Sequence, residues 1–105
     1  MKAIINITDT MLNKSICDCN KDVRELLSTK GIIDYNDLEV GEKEKIDARL
    51  KIDNNKTLDC VVSCYRAKGR GDKRIWITKV RGHGEVGNKL VFQVRNKKLH
   101  IQLTK

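Results

Sequence analysis

From residue 46 onward, apolar side chains recur at every second position, and this period constrains the fold more than any other feature. Ile46, Ala48, Leu50 and Ile52 alternate with Asp47, Arg49 and Lys51. The same period returns in Leu58, Cys60, Val62 and Cys64, then in Ile75 and Ile77. It recurs in Leu90, Phe92 and Val94, and again in Leu99, Ile101 and Leu103. Successive side chains of a strand point to opposite faces, so each run reads as a strand with one face buried. Turn chemistry separates the runs. Asp53-Asn54-Asn55-Lys56 suits a turn because Asn and Asp tolerate left-handed backbone. Gly69-Arg70-Gly71-Asp72, Gly82-His83-Gly84-Glu85 with Gly87-Asn88, and a tight turn near Asn96 follow. Five strands spaced in this way predict an antiparallel meander.

The residues before position 46 carry different signals. Residues 2–7 form a short apolar run that reads as a strand ending at Thr8-Asp9. Met11, Leu12, Ser15 and Ile16 share one side of a short helical turn. Asn20 or Asp22 can cap a helix whose apolar face is Val23, Leu26 and Leu27, and Glu25 stands three residues after Asp22 as in a capping box. Lys30-Gly31 supplies a basic last turn and a glycine stop, and residues 35–41 read as a loop. The expected fold is therefore α+β, with the N-terminal strand and helix packed on the five-stranded antiparallel meander. The sheet is expected to curl into a half-open roll that resembles SH3-like, OB-like or Sm-like barrels in outline. A likeness of outline implies no function.

A chain of 105 residues suffices for a single domain, taken here as residues 1–105. No window approaches the roughly 18 apolar residues of a membrane span, and the first apolar run breaks off too early for a secretion signal. A soluble, cytoplasmic protein without membrane contact is expected. Lys, Ile and Asn supply 34 of the 105 residues and proline is absent. Such AT-rich codon usage points to a low-GC bacterium or to a phage or mobile element.

Charge is the strongest functional signal, and it is lopsided. Residues 1–52 carry 9 Lys/Arg against 10 Asp/Glu, whereas residues 53–105 carry 13 against 4. An acidic-to-neutral half is thus joined to a strongly basic one, and the formal net charge is +8. Clustered positive charge attracts phosphate backbones and accelerates encounter with them. The loop from Arg66 to Arg74 holds Arg66, Lys68, Arg70, Lys73 and Arg74 within nine residues, together with two glycines that let backbone approach a ligand. The face of the sheet turned away from the core is expected to show Ser63, Tyr65, Arg74, Trp76, Thr78, Gln93, Arg95, Lys98, His100 and Gln102. Val61, Val80 and Val91 share that face. Trp76 is either a stacking platform for a base or second-layer core under the helix. With Lys79, Arg81 and Lys97 added, the candidate nucleic-acid contacts are Arg66, Lys68, Arg70, Lys73, Arg74, Trp76, Lys79, Arg81, Arg95, Lys97 and Lys98.

Other chemistries find less support. Cys17, Cys19, Cys60 and Cys64 lack zinc-knuckle spacing. On one strand Cys60 and Cys64 stand about 13 Å apart, too far to share a metal, so all four read as small buried residues and no metal or cofactor is expected. No Walker-type loop, nucleophile elbow or paired catalytic carboxylates occur. The sequence thus favours a small basic nucleic-acid-binding protein, with a lean to DNA because few aromatics are available for splayed bases. One alternative is a phage or mobile-element inhibitor or adaptor that binds a host protein, with the acidic segments Asp34–Glu39 and Glu42–Glu44 as its protein-facing edge. A second is a ribonuclease toxin in which His83 acts as acid or base, Glu85 orients it and Arg81 stabilises phosphate charge.

Overall fold

The computed structural model describes residues 1–105, and local signals start and stop most of its elements. β1 (Ala3–Asn6) ends two residues before Thr8, whose hydroxyl accepts the Met11 N–H at 3.2 Å and caps the six-residue α1 (Asp9–Lys14). Asn20 caps α2 (Lys21–Thr29) by accepting the Val23 N–H at 2.9 Å. Gly31, at φ +71°, ends α2 in a Schellman motif: its N–H donates to Ser28 O at 3.1 Å, and the Ile32 N–H donates to Leu27 O at 2.8 Å. A 3-10 turn, Tyr35–Asp37, then buries Tyr35 and leads into Leu38.

Five further strands follow: β2 (Lys43–Asp53), β3 (Lys56–Arg66), β4 (Lys73–Ile77), β5 (Lys89–Arg95) and β6 (Lys98–Thr104). The alternation holds on the core face. Ala48, Leu50, Cys60, Val62, Cys64, Ile75, Ile77, Leu90, Phe92, Leu99, Ile101 and Leu103 are all buried there. Ala3 and Ile5 of β1 join them, and Met11, Val23, Leu26, Leu27, Tyr35 and Leu38 cover them to complete one continuous core. Two turns differ in kind. Asn96 and Lys97, at φ 52° and 62°, form the left-handed pair that a two-residue β5–β6 hairpin needs. Asn54 and Asn55 are not left-handed as expected; an Asx turn, with Asp53 accepting the Asn55 N–H at 2.8 Å, and a bulge between Lys51 and Asp53 reverse the chain instead.

The strand order corrects the expected five-stranded antiparallel meander. The sheet is six-stranded and mixed, in the order β1-β5-β6-β2-β3-β4, and β2 runs parallel to β6. β1 is a member of the sheet rather than a strand packed on it, because Ala3–Asn6 pair with Phe92–Lys89. β5 does not follow β4 in space, since residues 78–88 are too long for a hairpin and carry the chain elsewhere. They do so over a short distance because the sheet is curled. The two edge strands, β1 and β4, are both held by residues 17–20. The Cys19 N–H donates to Lys73 O at 3.0 Å and the Ile75 N–H to Cys17 O at 3.0 Å, while the Asn20 amide donates to Ile4 O at 2.8 Å. The result is a half-barrel whose seam is bridged by a loop and whose interior holds α2. No helix is long and apolar enough to cross a membrane.

Candidate nucleic-acid interface

Because α2 fills the concave side, the convex side of the sheet is left to solvent, and register decides which residues meet there. Gln93 on β5 lies opposite His100 on β6, His100 beside Arg49 on β2, and Arg49 opposite Asp59 on β3. One row along, Val91, Gln102, Lys51 and Thr57 are neighbours in the same strand order, and Arg95 faces Lys98 at the hairpin end. These residues other than Asp59, together with Lys2 and Ile101, line a trough of about 440 Å³. Its five full cations are Lys2, Arg49, Lys51, Arg95 and Lys98, and no carboxylate is among its lining residues. The nearest acid by register, Asp59, forms an ion pair with the Arg49 guanidinium at 3.2 Å. Burial and the charges of Arg95, Lys98 and Arg49 hold the His100 imidazole below the usual histidine pKa.

Of the residues proposed from sequence, Arg95 and Lys98 line this trough, and Lys97 stands exposed on the adjoining turn. Lys79, also exposed, shares a shallower hollow with Lys98, Asp47 and Asp59 on the trough's flank. The basic loop lies elsewhere. Arg66 and Thr57 sit near opposite ends of β3, about 30 Å apart at the usual rise per residue. Within that loop Arg66 is turned inward, donating to Gly71 O at 3.0 Å and Leu38 O at 3.2 Å. Gly71 permits this closure: it is at φ +75°, and a Cβ there would stand 2.7 Å from Arg66 Nη2. Arg74 bonds Asp72 at 3.4 Å and its backbone carbonyl accepts the Tyr35 hydroxyl at 2.6 Å. Lys68 and Arg70 remain exposed at the tip, with Lys73 half-buried at the start of β4.

Trp76 alternates with the buried Ile75 and Ile77 and is itself half-buried, packed against the core. The Arg81 guanidinium lies 5.6 Å from its ring centroid, within cation–π range. Arg81 also donates to Leu12 O at 2.9 Å and to the Ser15 hydroxyl, so it ties residues 78–88 to α1. Val80 is a correction: it is buried in the core rather than shared with the convex face, because residue 79 has φ 72° and breaks the strand period. His83 and Glu85 are exposed on the glycine loop.

All four cysteines are buried and unbridged, and no group of three or more His, Cys, Asp or Glu is placed to hold a metal. Burial pushes Cys17 and Cys19 up to about 12 and Cys60 and Cys64 to about 11. Sequence reasoning missed Lys2, Arg49 and Lys51, which lie in the half with no net positive charge. Arg49 and Lys51 stood at polar positions of an alternating strand, but only the β2–β6 pairing brings them to Arg95 and Lys98, and the β1–β5 pairing brings Lys2. Comparison with protein-family models, with curated proteins and with solved structures returns no match to this chain.

Proposed function

We propose that this protein is a small, cytoplasmic nucleic-acid-binding module that lays the convex face of its sheet against a phosphate backbone. The observation that carries this reading is the trough, where five cations gather with no lining carboxylate. A cluster of that kind, offset only by Asp59 at Arg49, raises local positive potential, and its contact with phosphates releases the counterions condensed on them. The trough holds no Phe, Tyr or Trp side chain, so it favours backbone contact over the base stacking that single-strand binders use. Duplex DNA is accordingly the preferred ligand. The curled sheet is read as a roll of the SH3- or OB-like kind, with the ligand on the outside of the curl.

Fluorescence anisotropy with labelled duplex DNA, single-stranded DNA and RNA tests the proposal. Duplex DNA is expected to bind most tightly at low salt. Arg95→Glu with Lys98→Glu should abolish binding, and Lys68→Glu with Arg70→Glu should weaken it much less. No binding of any nucleic acid at low salt, or binding indifferent to the Arg95/Lys98 reversal, refutes it and assigns the face to an acidic protein partner.

A further inference from the structure

The convex face is mostly a diffuse field of charge, but one point in it is built differently. Arg49 and His100 are register neighbours on parallel strands, and both line the trough. Asp59 holds one end of the Arg49 guanidinium at 3.2 Å. The Nε of the same side chain is shielded from solvent and has no acceptor. A donor in that state is unfavourable until an acceptor arrives. Arg74 Nε is the only other such atom, but it lies on the edge strand β4, where the Asp72 carboxylate already pairs with the guanidinium at 3.4 Å. Around Arg49 the trough offers only cations, amides and an imidazole.

We propose that Arg49 and His100 form a discrete seat for one phosphoryl group, with Gln93 beside it and Lys51 and Lys98 one row to either side. The seat rests on the nucleic-acid reading and deepens it, by separating a directional contact from residues that supply only field. Arg presents a planar fork that matches phosphate oxygens, and Asp59 holds only the Nη1 end of this one. The neutral imidazole of His100 donates one N–H to the same anion, and the imidazolium donates more strongly.

The seat has a proton linkage that can be read directly. The groups facing His100 are Gln93 and Arg95 from β5, Lys98 and Gln102 on its own strand, Arg49 and Lys51 from β2, and Lys2 ahead of β1. Without ligand, partial burial and the charges of Arg95, Lys98 and Arg49 hold the imidazole below the usual histidine pKa. A seated phosphate neutralises them and adds an attraction, so the bound state takes a proton from solvent. Affinity therefore rises as pH falls through the bound-state pKa and levels off below the free-state pKa.

The test uses two probes. In the unmodified protein, inorganic pyrophosphate should raise the NMR-determined pKa of His100 and leave that of the exposed His83 unchanged. With duplex DNA, Arg49→Lys keeps the charge but loses the fork, and should weaken binding about tenfold at an unchanged salt slope. Lys51→Gln should instead flatten the slope by about one unit, and His100→Gln should abolish the pH dependence of affinity. A His100 pKa indifferent to pyrophosphate, or Arg49→Lys binding like the unmodified chain, overturns the seat. Steep salt-dependent DNA binding with a silent Arg49→Lys removes the seat and keeps the function. A pyrophosphate shift without any nucleic-acid binding keeps the seat and removes the function.

Discussion

Raising the salt concentration is the perturbation whose effect the structure specifies most closely. Each phosphate neutralised on duplex DNA contributes about −0.9 to the slope of log K against log salt. Five cations line the trough, and Asp59 already offsets part of Arg49, so the proposal predicts neutralisation of four to five phosphates. The expected slope is about −3.6 to −4.5, which corresponds to a loss of about 150- to 500-fold in affinity between 50 and 200 mM salt. Anisotropy titrations of a labelled duplex at several KCl concentrations and constant pH measure it. Arg95→Gln with Lys98→Gln should flatten the slope by about two units, since two of the contacts disappear. A slope steeper than about −6 would mean that the Lys68/Arg70 loop also reaches the DNA. A slope flatter than about −2, or one unaffected by the double variant, refutes the reasoning that the trough is the contact surface.

Asn20 has two jobs, capping α2 and tying the β1 edge through Ile4 O. Asn20→Ala should cost about 2 kcal/mol, roughly one for the cap and one for the second bond, and lower the melting temperature by about 10 °C in a circular-dichroism melt. Asn20→Ser keeps a capping oxygen but cannot reach Ile4, so it should recover about half of that loss; an Asn20→Ala melt equal to the unmodified one would deny the seam its role. Burial places the thiols at about 12 for Cys17 and Cys19 and about 11 for Cys60 and Cys64, so thiolate at pH 8 is a thousandth or less of each. An alkylating reagent at that pH is therefore expected to label none of the four until denaturant is added, and rapid labelling in the folded state counts against the closed core.

Much of the local structure was legible because its causes lie within a few residues. The cap at Asn20, the apolar triplet Val23, Leu26 and Leu27, and the glycine stop at Gly31 all appear where the sequence places them. The strands that bury Leu50, Val62, Ile77, Phe92 and Ile101 do as well. The candidate site was legible only in part. Arg95 and Lys98 were found from charge and alternation, but Arg66 and Arg81, chosen for the same charge, are tied to backbone carbonyls. A cation's partners are set by what folds up against it, and Leu38, Gly71 and Leu12 carry no sequence mark of being acceptors. The split into a neutral and a basic half also misled, because a sheet face collects residues from both halves.

Side-chain period, capping and turn composition therefore determined an α+β chain of short strands with one sheet face buried, since these are properties of adjacent backbone. The tertiary structure alone decided which strands are neighbours. Alternation assigns a residue to a face and says nothing about the strand beside it. That choice depends on the curl that brings β1 and β4 to the same loop at residues 17–20, and on residues 78–88 crossing to place β5 and β6 between β1 and β2. Parallel pairing of β2 with β6 then sets Arg49 beside His100 and gathers charge from both halves of the chain into one trough.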